Sequence, residues 1–168
     1  PPNMGEATVE KIAINAVMFV VEMVAGAMAG SQALKADALD FLGDTVTYTI
    51  SLFVIGKSIR MRASAALFKG LGLAVMGLFV FGSTLWQVFV FAQPSAPVMG
   101  VVGFLALAAN LASVAVLMRF RDGDSNVRSV WLCSRNDAIG NVAVLGAAGL
   151  VALTGTAWPD LVVAALMA

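Results

Sequence analysis

Long apolar segments follow one another along this chain, separated by short polar connections. A segment of about 20 apolar residues, coiled at about 1.5 Å per residue, crosses the ~30 Å hydrocarbon core of a bilayer as a helix. Of the 168 residues, 60% are hydrophobic and 12% are charged, which is well above the apolar share of a soluble domain. We therefore predict an all-α integral membrane protein.

Six such segments predict a six-helix transmembrane bundle, a single domain over residues 1–168 with no soluble domain. The predicted spans are 12–30, 35–56, 70–92, 98–118, 129–153 and 158–168. The last covers 11 residues and is too short to cross a membrane upright. We expect either that this helix is truncated here or that the natural chain continues past residue 168.

The distribution of Lys and Arg predicts the orientation of the bundle. The connections 57–69 and 119–128 contain four and three of these residues, and the other connections contain at most Lys35. Because Lys and Arg favour cytoplasmic loops, both termini are predicted to lie in the cytoplasm. We expect a multi-pass protein of the bacterial inner (plasma) membrane, in contact with the lipid bilayer.

Charge balance and cysteine count exclude several kinds of protein. Ten basic and ten acidic residues give a net charge of zero, so we expect no nucleic-acid partner. The one cysteine, Cys133, cannot form an internal disulfide or a metal site made of cysteines alone. No pattern of a cleaved signal peptide is visible, and we expect none.

Polar side chains inside the spans are the strongest indication of function. A carboxylate near the centre of a membrane helix costs about 2.5–3.5 kcal/mol on insertion scales, so its presence needs a compensating interaction. We expect the four spans that carry these residues to line the interior of the bundle. Span 3 is expected to lie on its outside, and span 6 is a second candidate for an outer position. The residues are Asn15 and Glu22 in span 1, Asp37, Asp40 and Asp44 in span 2, Asn110 in span 4, and Cys133, Asp137 and Asn141 in span 5.

Helical spacing groups four of these residues into a candidate metal site. Asp40 and Asp44 are separated by four positions, as are Cys133 and Asp137, so each pair shares one face of its helix. Two such pairs on two helices supply three carboxylates and one thiol. Tetrahedral ligation by oxygen and sulfur at about 2.0–2.3 Å suits a zinc-like ion, whereas Mg²⁺ with its octahedral demands fits less well.

Depth in the membrane gives an independent indication for two of the ligands. At the helical rise, Asp44 lies about 14 Å below the outer face and Asp137 about 12 Å above the inner face. In a core of about 30 Å their levels differ by about 4 Å. Asp40 and Cys133 agree less well, unless the helices start earlier or tilt, and without that adjustment Cys133 is not a ligand.

Other readings remain open for the residues around this site. Cys133 taken alone is typical of a small hydrophobic side chain. Solvation at the outer interface is favoured over a functional role for Asp37. Glu22 suits a proton relay or a ligand as well as it suits a buried packing hydrogen bond. Asn15 and Asn141 are further accessory candidates, and Asn141 is expected, like Asn110, to form hydrogen bonds between helices.

Two long stretches resemble the cation diffusion facilitator family. "NAVMFVVEMVAGAMAGSQALKADALDFLGD" is similar to the first two spans of that family, and "NVRSVWLCSRNDAIGNVAVLGAAGLVALTGTAWPDLVVAALMA" to its fifth and sixth. The resemblance implies a homodimeric exporter of divalent transition metals, mainly Zn²⁺, in exchange for protons. It implies that Asp40, Asp44, residue 133 and Asp137 form the transport site, with the metal ion as substrate and no cofactor.

Cys133 departs from the His or Asp that the family usually has at this position. A thiolate is a soft ligand and should favour Cd²⁺ or Zn²⁺ over Mn²⁺. A thiol must also lose its proton to bind metal, so metal binding is expected to release protons. The usual cytoplasmic C-terminal domain of the family is not among the 168 residues, so we expect any dimer to form through membrane helices.

The predicted function is therefore efflux of Zn²⁺ or Cd²⁺ by alternating access about a site near the midplane, without enzymatic activity. The first alternative is a channel-like or non-transporting membrane protein. The second is an intramembrane aspartic protease, for which "LGD" at 42–44 is suggestive. The Gly-x-Gly-Asp motif of that family would need Gly at position 41, where this chain has Phe41.

Overall fold

The computed structural model describes residues 4–54, 58–90, 92–118 and 125–167. Within these ranges the chain forms six α-helices, which confirms the all-α fold class. They are α1 (Met4–Ala29), α2 (Gln32–Val54), α3 (Ile59–Val90), α4 (Ala96–Met118), α5 (Ser125–Thr154) and α6 (Trp158–Met167). Several helices begin before the apolar segment that predicted them, so Lys11 lies on α1 and Lys69 on α3 rather than in connections.

Two glycines end helices by adopting a backbone conformation that other residues rarely accept. Gly30 has φ 69° and Gly155 has φ 65°, in the left-handed region where a Cβ is penalised. After α1, the Ser31 N–H donates to the carbonyl of Gly26 at 3.0 Å, and after α5 the Gly155 N–H donates to Val151 at 2.9 Å. Both bonds satisfy carbonyls that the helix end leaves without partners.

The second helix lies at the centre of the bundle and contacts each of the other five helices. The two-residue turn at Gly30 and Ser31 makes α1 and α2 an antiparallel pair, and α4 packs extensively on α5. The third helix contacts only α2 and α6 among the described elements, and side chains such as Phe68, Phe79 and Phe89 are exposed along it. This confirms that span 3 lies outside, with an apolar surface suited to lipid.

Among the described residues, four helices are long and apolar enough to cross a membrane, judged by length and composition. They contain the segments Thr8–Ala29, Ile59–Val90, Ala96–Ala115 and Arg135–Thr154. The second helix carries too many ionisable residues, including three carboxylates, and α6 has only 10 residues. Because α2 contacts all five other helices, its ionisable side chains are buried or half-buried, except that of Asp40, which is exposed. The chain is thus a multi-pass integral membrane protein.

One apolar cluster joins the first turns of α2 to α4 and the second half of α5. Its buried members are Ala33, Leu34, Met99, Val102, Val144, Ala147, Ala148 and Val151. Close approach of α1 and α2 beside this cluster depends on Gly26, where a Cβ would lie 3.2 Å from both Leu34 Cβ and the Lys35 amide nitrogen. The cluster fixes one end of α2, and the polar residues lie further along the same helix.

Candidate functional site

Three of the predicted ligands, Asp40 and Asp44 on α2 and Asp137 on α5, interact electrostatically with one another. Asp137 lies near enough to Asp44 and Asp40 for both carboxylates to influence its charge, and Asp40 and Asp44 influence each other in the same way. Asp40 is exposed, and Asp44 and Asp137 are half-buried. Three like charges on two adjacent helices form an anionic patch that favours a cation.

The fourth predicted ligand is only partly described. Cys133 is a residue of α5. The structure describes its backbone but not its side chain. Among the side chains that are described, no three acidic, histidine or cysteine groups lie close enough to hold a metal ion together. The ligand roles of Asp40, Asp44, Cys133 and Asp137 therefore stay predictions.

A buried lysine that the sequence analysis did not single out lies beside Asp44. Lys11 Nζ is 3.6 Å from Asp44 Oδ2, and it donates to the Tyr48 hydroxyl at 2.6 Å. The amide of Asn15 lies 3.4 Å from the same Asp44 oxygen, which places this accessory candidate at the site. The spacing of four residues between Lys11 and Asn15 could have revealed the lysine, but Lys11 precedes the apolar segment that defined span 1.

A second pair of carboxyl groups lies deeper in the bundle. Glu22 is 0% exposed and Asp37 is 1% exposed, and the two carboxyl groups interact with each other. Among the described residues, no donor reaches either oxygen of Glu22 or Oδ1 of Asp37. The expectation that water at the outer interface solvates Asp37 is therefore wrong, because packing against α1 and α5 encloses this side chain.

Two asparagines connect this carboxyl pair to α4. The Asn141 side chain donates to Asp37 Oδ2 at 2.5 Å, and its carbonyl accepts from the Asn110 side chain at 2.7 Å. All three residues are buried. Hydrogen bonds between helices, predicted for both asparagines, are confirmed, and they link α2, α5 and α4 in one network.

Most of the chain matches a known protein family and individual members of it. The cation efflux transmembrane domain matches residues 11–168. The metal cation efflux system protein CzcD of Cupriavidus metallidurans is 29% identical over 168 residues, covering 93% of this chain and 53% of the relative. The zinc transporter ZitB of Pectobacterium atrosepticum is 29% identical over 154 residues, covering 84% of this chain and 48% of the relative.

The chain spans about half the length of these curated relatives. The family model that matches residues 11–168 is a transmembrane domain, which agrees with a bundle of helices that encloses acidic side chains. By this match over residues 11–168, the chain belongs to the cation efflux family, the cation diffusion facilitators.

Proposed function

We propose that this chain forms the membrane pathway of a divalent transition-metal exporter, with Zn²⁺ or Cd²⁺ as substrate. The observation that carries the proposal is the electrostatic interaction among Asp40, Asp44 and Asp137 on two adjacent membrane helices. Carboxylates at membrane depth are costly without a positive partner, and a divalent cation would supply one. The printed names of the relatives, which refer to metal cations and to zinc, support the same substrate class.

Cys133 supplies the proposed fourth ligand. It precedes Asp137 by four positions in the sequence, the spacing at which two residues of a helix share one face. Three carboxylate oxygens and a thiolate form a mixed ligand set of the kind that zinc sites use. A soft thiolate raises the relative affinity for Cd²⁺ and Zn²⁺ over Mn²⁺.

Exchange of metal for protons is supported by the pair of Glu22 and Asp37. Two enclosed, interacting carboxylates repel each other when both are ionised, and a proton shared between them would remove that repulsion. Asp37 precedes Asp40 by about one turn, and the two carboxylates interact electrostatically. A divalent cation on Asp40 would therefore disfavour the proton on the pair, which couples metal binding to proton release.

Zn²⁺ uptake into inside-out vesicles tests the transport site. Asp44→Asn keeps the shape of the side chain and removes its charge, so we expect uptake to fall at least tenfold, equivalent to about 1.4 kcal/mol. Glu10→Gln is the matched control, because Glu10 is an exposed carboxylate on α1 and its loss should leave uptake unchanged. Full uptake by Asp44→Asn would contradict the proposal and favour a channel-like protein.

The same vesicles test the proton pair. With an acidic lumen, a proton-coupled exporter moves Zn²⁺ inward faster than it does without a pH gradient. In Glu22→Gln the shared proton is lost, so we expect uptake that no longer responds to the gradient, whereas Glu10→Gln keeps the response. A Glu22→Gln protein that still responds fully would rule out this pair as the proton site.

The homodimer implied by the family is a further proposal, and cross-linking in the same membranes would test it.

A further inference from the structure

Lys11 forms an ion pair inside the membrane bundle. Its side chain is 6% exposed, although it lies on a helix whose membrane-crossing segment starts at Thr8. A buried ammonium is retained in such a place only where anionic or aromatic groups compensate its charge. Here the compensation comes from α2, through Asp44 and Tyr48.

Two described contacts of Lys11 involve its ammonium group, and both are with side chains of α2 that also interact with each other, Asp44 and Tyr48. One is the ion pair with Asp44 at 3.6 Å. The other is with Tyr48, whose hydroxyl accepts a hydrogen bond at 2.6 Å and whose ring centroid lies 4.4 Å from Nζ. An aromatic face attracts an ammonium even without a carboxylate. An ammonium displaced from Asp44 would therefore still have the ring and hydroxyl of Tyr48 as partners.

The charge of Lys11 acts on both sides of the proposed metal site. The Lys11 ammonium interacts electrostatically with Asp44 on α2 and with Asp137 on α5. A second lysine, Lys69 on α3, also acts on Asp44, but its ammonium donates to Thr47. A divalent cation bound by Asp44 and Asp137 would be repelled by an ammonium that stayed 3.6 Å from Asp44.

We propose that Lys11 is a built-in counter-cation of the transport site, paired with Asp44 when the metal is absent and displaced onto Tyr48 when the metal binds. This inference rests on the proposed function. The ammonium keeps its charge throughout, so no proton transfer is required. Lys11 competes with the substrate for one carboxylate, which lowers the affinity of the site and assists release of the metal.

Equilibrium Zn²⁺ binding to the purified, detergent-solubilised protein tests this competition. Lys11→Met removes the competing charge and keeps the length of the side chain, so we expect Zn²⁺ to bind about fivefold tighter or more, in the range of single charge-pair couplings. Lys35→Met is the matched control, because Lys35 lies at the other end of α2 and should leave affinity unchanged. Unchanged or weaker binding by Lys11→Met would overturn the inference.

A second variant distinguishes competition with the metal from a purely structural role of Lys11. Lys11→Arg keeps the charge and can pair with Asp44 through two nitrogens, so we expect it to weaken Zn²⁺ binding by about fivefold. A structural role for Lys11 would move both variants in the same direction, which would also overturn the inference.

Thermal unfolding supplies a readout that does not depend on the binding assay. We expect Lys11→Met to lower the unfolding temperature without Zn²⁺, because Asp44 loses its partner, and to show a larger Zn²⁺-induced rise than wild type. An equal or smaller rise would count against the inference. Wild-type protein that binds neither Zn²⁺ nor Cd²⁺ would remove the proposed function and this inference together, whereas binding abolished by Asp44→Asn but untouched by Lys11→Met would remove only the inference.

Discussion

The carboxylate of Asp160, on α6, accepts a hydrogen bond of 2.5 Å from the hydroxyl of Ser31, which precedes α2. The same carboxylate accepts from the backbone N–H groups of Gln32 at 2.8 Å and Ala33 at 3.1 Å. The Ser31 hydroxyl in turn accepts from the Leu34 N–H at 3.1 Å. Together they satisfy the first donors of α2, which a helix cannot pair internally. The sixth helix therefore holds in place the end of the helix that carries Asp40 and Asp44.

Removal of this cap should destabilise the bundle. Asp160→Ala loses charge-assisted hydrogen bonds to two backbone donors and one hydroxyl, so we expect a cost of about 2–3 kcal/mol in the free energy of unfolding. Ser31→Ala loses the local cap and one partner of Asp160, with an expected cost of about 1–2 kcal/mol. Chemical unfolding in detergent micelles measures both, and an Asp160→Ala protein as stable as wild type would refute the role of this cap.

The asparagine network should depend on Asn141 in particular. Asn141→Leu leaves Asp37 and Asn110 without the partner described above, and buried polar groups without partners cost about 1–3 kcal/mol each. We expect a loss of about 3 kcal/mol in the same unfolding assay. Asn136→Leu, at an exposed position of α5, is the matched control and should change stability by less than about 0.5 kcal/mol. Equal effects of the two substitutions would contradict the network.

Close packing of α1 on α2 should make Gly26 intolerant of larger residues. A Cβ at this position would meet Leu34 Cβ and the Lys35 amide nitrogen at 3.2 Å, so Gly26→Ala should cost about 1–3 kcal/mol through overpacking. A methyl group added at Gly146 in α5 would meet no described atom within 4 Å. Gly146→Ala should be neutral or gain up to about 1 kcal/mol from helix propensity. Unfolding midpoints compare the two, and the reverse order would be inconsistent with the close approach.

The thiol of Cys133 should set the preference among metals. If it is a ligand, Cys133→Ser should reduce the preference for Cd²⁺ over Mn²⁺ by about tenfold, because a hydroxyl is a harder and weaker ligand. Cys133→His should retain Zn²⁺ transport, since imidazole is a common zinc ligand. Competitive transport of Zn²⁺, Cd²⁺ and Mn²⁺ in vesicles measures these ratios. An unaltered Cd²⁺/Mn²⁺ preference in Cys133→Ser would exclude the thiol from the site.

The lengths of the apolar segments and the spacing of the polar residues were sufficient to predict much of the fold. Five apolar segments of membrane length and one shorter segment predicted six helices, because the number of residues needed to cross a bilayer follows from the helical rise. The scarcity of polar residues in span 3 placed it outside, and the structure agrees. Spacing of four residues placed Asp40 and Asp44 on one face, since that geometry is set within a single helix.

Contacts between distant residues could not be predicted in this way. The enclosure of Asp37 depends on which faces of α1 and α5 approach α2, and Lys11 meets Asp44 across 33 positions of sequence. The cap between Asp160 and Ser31 spans 129 positions. The sequence alone determined the helices and which of them carry polar side chains, because these depend on local geometry and on the cost of burying charge in lipid. Only the tertiary structure decided which charge faces which, because side-chain partners on different helices are chosen by packing, and packing depends on the whole bundle at once.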